Sequence, residues 1–314
     1  MGSVDTSRKP KACSPFTGAA RLRELLNDRS KIVVCPGVYD GLTARLALEA
    51  GFDALYMTGA GTSISKLGWA DLGMAHLNDM AGNAGMIASL DPSVPVIADA
   101  DTGYGGPIMV TRTVTQYARA GVAALHIEDQ VQEKRCGHLL GKQIVDRDIY
   151  YSRLRAAVAA RDALHSDIVI IARTDSLQTY GFDEAIERLK EAVKIGVDVV
   201  FLEALRDREE MEKVCKIMGD TPVLLNSVPH GTTPEISAQE AQEIGFRIMI
   251  HPGACLGPVA KILRQELQVL KKTGKATPAD AESSPKELFN LAGLQECIEI
   301  DRLAGGKAYA SLTK

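Results

Sequence analysis

The chain has 314 residues, 46% hydrophobic and 24% charged, the make-up of a soluble globular protein able to bury a large core. A formal net charge of −4 offers no basic footprint for nucleic acid or an anionic membrane, and no apolar run nears the roughly 20 residues that span a bilayer. The six cysteines (Cys13, Cys35, Cys136, Cys215, Cys255, Cys297) form no C-x-x-C pair, which argues against a zinc ribbon or a disulfide scaffold and for a reducing, cytoplasmic setting.

In chain order, residues 1–15 read as a polar tail. Its start, "MGSVDT", meets the loose N-myristoylation pattern at Gly2 and Thr6, a match that short motifs often give by chance. Eight short apolar runs follow: KIVVCP, DALYMT, VPVIAD, VAALHIED, DIVIIART, VDVVFLEA, TPVLLN and FRIMIH. Each precedes a segment of helical periodicity, which predicts parallel strands covered by helices, and the count of eight predicts a (β/α)8 barrel. Gly51, Gly121, Gly196 and Gly245 each stand between a helical segment and the next strand, as left-handed C-caps do. "SAQE" at 237–240 reads as a capping box, and Glu184–Arg188 as an i,i+4 pair on an outer helix. Residues 253–272 and 285–304 read as helices joined by a 273–285 linker. The expected division is a tail at 1–15, a barrel domain at 16–272 and a linker with a C-terminal helical extension at 273–314.

In such a barrel, function gathers at the C-terminal strand ends. Those ends carry Asp40, Thr58, Gly59, Asp99, Asp101, Glu128, Asp129, Arg173, Asp175, Glu203, Asn226 and His251, while the strand interiors carry almost no charge. For any single one of them a helix cap or turn explains the residue equally well. Asp99 and Asp101 are spaced i,i+2, on one face of an extended chain, and with Glu128 they form an all-oxygen set suited to Mg2+ or Mn2+. An Asx-turn feeding the glycine-rich "TGYGG" is the competing reading. Arg173 suits either a substrate carboxylate or an internal partner such as Glu203. Thr58–Gly61 is a small-residue turn whose N–H groups suit a second carboxylate. His126 reads as an inward, hydrogen-bonded core residue more than a catalyst.

The connection from Asp129 to Asp146 is the longest strand-to-helix loop and reads as a lid. On it Cys136 lies among Lys134, Arg135 and His138. Zinc would need more ligands than one Cys and one His, and an acyl-transfer nucleophile would need a base and an oxyanion hole. A proton-donating thiol and an inert loop cysteine both stay open on these residues alone.

"ADADTGYGG", "HIEDQ" followed by "KRCGH", "IARTDSL" and "PGVYDGLTARLALEAGFDALYMTGAG" resemble the isocitrate lyase/phosphoenolpyruvate mutase superfamily, over about residues 20–305. The likeness is greatest to its branch of 2,3-dimethylmalate lyase, oxaloacetate acetylhydrolase and petal death protein. The resemblance implies that Asp99 ligates Mg2+, with Asp101, Glu128 and Asp71 holding the ion's waters and Asp71 also on the substrate's side. It implies that Tyr56, Thr58, Gly59 and Ala60 bind the carboxylate, that Arg173 reaches the substrate, and that Glu203 and Asn226 line the pocket. Cys136 would transfer the proton, with Lys134, Arg135 and His138 around it. It further implies a homotetramer that exchanges a C-terminal helix between subunits.

The implied activity is cleavage of a 2-hydroxydicarboxylate (an alkylated malate such as 2,3-dimethylmalate), or of the related 2-methylisocitrate, to pyruvate and a carboxylate. Hydrolysis of oxaloacetate to oxalate and acetate is the alternative. Phosphonomutase-type P–C chemistry and a non-catalytic barrel scaffold are more distant ones. "LLNSVPHGTTP" departs from the lyase pattern, which has an acidic residue soon after the Asn. Ser227 there is a candidate for the serine that marks the hydrolases, and the segment predicts a more apolar pocket.

Overall fold

The computed structural model describes residues 17–137, 139–278, 284–309 and 311; the expected tail with Gly2, His138 and the middle of the 273–285 linker lie outside the described residues. Eight parallel strands close into one barrel in sequence order. They are β1 (Val33–Val38), β2 (Leu55–Met57), β3 (Val96–Asp99), β4 (Ala124–Glu128), β5 (Val169–Thr174), β6 (Val199–Leu202), β7 (Val223–Asn226) and β8 (Ile248–His251). Each overlaps one of the eight apolar runs.

Away from their C-terminal ends the strands are almost wholly apolar because both of their faces are buried. Alternate residues such as Val33, Ile97, Ile171, Phe201 and Ile248 fill the barrel, while Leu55, Leu125, Ile170, Val200 and Met249 pack beneath the outer helices. Gly51, Gly121, Gly196 and Gly245 have φ of 84°, 82°, 106° and 118°, the left-handed conformation that a Cβ disfavours. The Ser237–Glu240 capping box and the Glu184–Arg188 pair (2.8 Å) are both present.

One helix lacked a clear periodic signal in the sequence. Gly18–Asn27 is capped by Thr17, whose side chain accepts from Ala20 N, and its Leu22 and Leu26 join the barrel's inner cluster. Arg23 donates to Asp167 O and Arg247 to Leu26 O, which fixes the helix across the N-terminal ends of the strands. Beyond β8, helix Leu256–Thr273 buries none of its residues. The expected 285–304 helix is two, Pro285–Leu291 and Leu294–Leu303, because Gly293 adopts φ 88° between them. Among the described residues no helix is long and apolar enough to cross a membrane.

Candidate active site

Strand parity sorts the polar residues of the barrel mouth. Asp99, Glu128, Arg173, Glu203 and Asn226 each lie two positions after an inward residue (Ile97, His126, Ile171, Phe201, Leu224), so their side chains converge above the barrel core. Asp40 and Asp129 have structural work instead. Asp40 caps helix Gly41–Glu49 in a box with Thr43. Asp129 accepts from Thr174 Oγ1 (2.5 Å) and Asp175 N (2.9 Å) and pairs with Arg188.

The carboxylates come together by a turn, not along an extended face. β3 ends at Asp99, whose Oδ1 accepts the Asp101 N–H (2.8 Å), and Asp101 is left-handed at φ 46°. The Asx-turn and the acidic cluster are thus one feature. Lys134 Nζ stands 2.5 Å from both Asp71 Oδ1 and Asp101 Oδ1, and Arg173 Nε is 3.2 Å from Glu128 Oε2. Burial, then the Asp99 and Asp71 charges, push Asp101 up to about 7 against the pull of Lys134. Burial also drives Glu128 well above the usual carboxylate range. Burial would raise Asp99 too, but His126, then Lys134, Arg173 and the Asp101 N–H, hold it low.

His126 is fully buried, bonds the Tyr56 hydroxyl through Nε2 (3.0 Å) and is pulled down to about 4 by burial, so it is neutral near pH 7. It is the hydrogen-bonded core residue expected.

Among the described residues no three His, Cys, Asp or Glu side chains are drawn together tightly enough to hold a metal unaided. The donor set still fits a hard divalent cation that keeps its own waters. Asp71, Asp99, Asp101 and Glu128 are oxygen donors crowded out of solvent, and burial raises the carboxyls of Asp101 and Glu128. Gly59 adjoins this cluster: a Cβ there would lie 2.3 Å from Asp99 Oδ2. Thr58 caps the short helix Gly59–Thr62 by accepting from Gly61 N, so the Gly59 and Ala60 N–H groups sit in its first turn.

The lid lies against this mouth. Cys136 is half-buried and forms no disulfide, and a Cβ on Gly137 would come within 2.5 Å of Arg173 Nη2. Two of the cations expected around the thiol have acceptors of their own. Lys134 is committed to Asp71 and Asp101, whose buried charge demands it, and Arg135 donates to Leu140 O (3.2 Å). Arg173 meets Glu203 (3.2 Å) as anticipated, but its two-pronged partner is Asp175, at 2.8 and 3.1 Å. Asn226 donates to Glu203.

A cavity of about 170 Å3 opens here. Its polar lining is Tyr56, Thr58, Asp71, Asp99, Lys134, Cys136, Arg173, Glu203 and Asn226, and Ala60, Val228, Pro252 and Leu256 also line it. Two larger hollows, about 690 and 610 Å3, lie at the other end of the barrel, away from this cluster. Ser227 is not in the wall. It follows inward-facing Asn226, so the alternation turns it aside, and its N–H donates to Ile250 O. Val228, Pro252, Leu256, Gln130 and Lys142 were not anticipated. The strand-end rule pointed to His251 and stopped one residue short of Pro252.

Over residues 22–270 the chain matches the family described as phosphoenolpyruvate phosphomutase. It belongs to the isocitrate lyase/phosphoenolpyruvate mutase superfamily. The 2,3-dimethylmalate lyase of Eubacterium barkeri is 39% identical over 285 residues, 90% of this chain and 96% of that one. A solved 2,3-dimethylmalate lyase superposes with a TM-score of 0.92 at 56% identity, covering 94% of this chain and 97% of the other. An oxaloacetate acetylhydrolase bound to 3,3-difluorooxalacetate superposes with a TM-score of 0.91 at 52% identity, covering 94% and 99%. Members of this superfamily thus share its barrel with lyase and hydrolase activities.

Proposed function

We propose that this enzyme is a Mg2+-dependent carbon–carbon lyase, with Mn2+ as a substitute, acting on a 2-hydroxydicarboxylate with an alkyl substituent. 2,3-Dimethylmalate and the related 2-methylisocitrate are the substrates of choice. The observation that carries this reading is the mixed lining of the cavity, where charged groups are joined by Val228, Pro252 and Leu256, apolar contacts for an alkyl group. Hydrolysis of oxaloacetate is the second reading, favoured by the 52% identity to an oxaloacetate acetylhydrolase.

In this mechanism Asp99 would hold the ion, with Asp101, Glu128 and Asp71 as its further oxygen neighbours. Mg2+ would supply Lewis acidity at the substrate's 2-hydroxyl and carboxylate, easing loss of the hydroxyl proton. Tyr56 and the Thr58–Ala60 turn receive that carboxylate. Arg173, kept aligned by Asp175 and Glu203, faces the substrate with Asn226 beside it. As the 2-hydroxyl loses its proton, the C2–C3 bond breaks. C2 becomes the keto carbon of pyruvate, and C3 keeps the electron pair, stabilised by its own carboxylate. The Cys136 thiol on the lid delivers the proton that C3 needs. Lys134 and Arg135 serve the lid by their polar contacts.

Residues 16–272 would be the catalytic barrel and 273–314 an extension exchanged within a cytoplasmic homotetramer, with acylation at Gly2 a lesser option. The unburied helix Leu256–Thr273, with Ile262, Leu263 and Leu267 exposed, and exposed Phe289 and Leu303 support a second copy as the cover. Sedimentation would read this directly, a monomer at micromolar concentration being the contrary result.

The activity is tested by incubating the protein and Mg2+ with 2,3-dimethylmalate, 2-methylisocitrate, oxaloacetate and phosphonopyruvate, with products followed by NMR. Pyruvate and propionate from 2,3-dimethylmalate are expected. Oxalate and acetate from oxaloacetate would transfer the assignment to hydrolysis. No turnover of any of the four would favour the scaffold.

A further inference from the structure

Lys142 closes the lid segment and is buried, with its side chain fully shielded from solvent. An ammonium group in that position is costly unless its hydrogens find acceptors. Two are in place: Gly137 O at 2.8 Å and Asp175 Oδ1 at 2.8 Å. The second is the carboxylate that grips Arg173 through Nε (2.8 Å) and Nη2 (3.1 Å). Asp175 is itself anchored, since its N–H donates to Asp129 Oδ1 (2.9 Å). A continuous polar chain therefore runs from Asp129, just after β4, through Asp175 and Lys142 to the residue after Cys136, and the same Asp175 holds Arg173.

We infer that Lys142 is a positioning residue, a clasp that fixes Cys136 over the site by tying the Gly137 carbonyl to the Asp175–Arg173 pair. The inference rests on the roles proposed for Cys136 and Arg173, and two further observations sustain it. Apolar burial does not hold the lid down: Leu139 and Leu140 are 48% and 79% exposed. Polar tethers are what hold it, and Gln130 supplies another by bonding Arg135 O (2.9 Å) and Arg135 N (3.2 Å). The clasp also needs close backbone approach. A Cβ on Gly137 would lie 2.5 Å from Arg173 Nη2 and 2.8 Å from Glu203 Cγ, so only glycine lets the lid seat at this depth.

Without the clasp, the Gly137 carbonyl can turn to water and the lid segment is released, while Arg173 keeps Asp175 as a partner. The thiol would then be more accessible but misplaced for proton delivery. The test labels the full-length protein with iodoacetamide and follows the Cys136 peptide by mass spectrometry, a readout that needs no substrate. Lys142→Met should label Cys136 several-fold faster than wild type. On whichever substrate the enzyme turns over, its kcat should fall by about 100-fold while KM changes far less.

Gly137→Ala, which lifts the same backbone from the other side, should speed labelling in the same way and decides the matter if Lys142→Met does not fold. Labelling of Cys136 at the wild-type rate in a folded Lys142→Met, or in Gly137→Ala, would overturn the clasp. If the wild type turns over none of the proposed substrates, the functional reading fails, and the labelling result still decides the position of the lid.

Discussion

A Cβ on Gly59 would stand 2.3 Å from Asp99 Oδ2, so the turn after β2 meets the acid at the end of β3 through bare backbone. That contact joins the proposed carboxylate-binding turn to the proposed metal ligand. Gly59→Ala should fold, since its φ lies outside the left-handed region, but must push Asp99 or the turn aside. We expect kcat/KM to drop by about 100-fold, the scale of an ångström-sized misplacement, with the melting temperature little changed. Near-normal kinetics would show that the two elements yield without consequence.

Metal binding is checked without turnover. Protein stripped with EDTA should melt at a higher temperature once Mg2+ is added, because an ion bound only by the folded state stabilises it by about 2.7 kcal/mol at 100 times its Kd. Asp99→Asn should lose most of that rise. An equal rise in the variant would remove Asp99 from the ion's site.

Proton delivery isolates the thiol. Cys136→Ser should lower kcat by about 100-fold or more, the usual share of a positioned general acid, while oxalate still binds by calorimetry. Turnover close to wild type would take Cys136 out of the chemistry.

Acid stability has a separate source. Glu184 accepts from Arg147 and from Arg188, and these bonds lower its carboxyl to about 2 from the ordinary 4.5. A depressed carboxyl stabilises the fold fully above its unfolded value and loses that contribution as pH falls toward 2. Glu184→Gln should therefore melt below wild type at pH 7, and the two melting curves should draw together as the pH falls from about 4.5 toward 2. A constant gap across that range would assign the effect to packing instead.

The barrel was legible in the sequence because every strand is buried on both faces, so apolar runs and C-cap glycines mark each repeat. The inward members of the acidic ring were equally legible, and parity would have set Asp129 apart from Glu128, one residue along the same chain. The direction of each lid charge was not. Lys134, Arg135 and Lys142 look alike as letters, yet one goes to Asp71 and Asp101, one to Leu140 O and one to Asp175. Those destinations depend on contacts between distant segments, such as Lys134 with Asp71, which local spacing does not encode. Gly18–Asn27 escaped notice for a related reason: its apolar stripe is short, and its place is set by the barrel end that it covers.

That small helix has a bearing on traffic. With Leu22 and Leu26 stopping one end, and Tyr56, His126 and Phe201 packed together below the cavity, the proposed substrate would enter and its products would leave through the same doorway. Queueing follows from depth. On the proposed lyase mechanism, the fragment formed nearest the lid would leave first, and the keto acid seated by Asp99 would wait behind it. Added keto acid should accordingly compete with substrate for the empty enzyme, while the departing carboxylate should not.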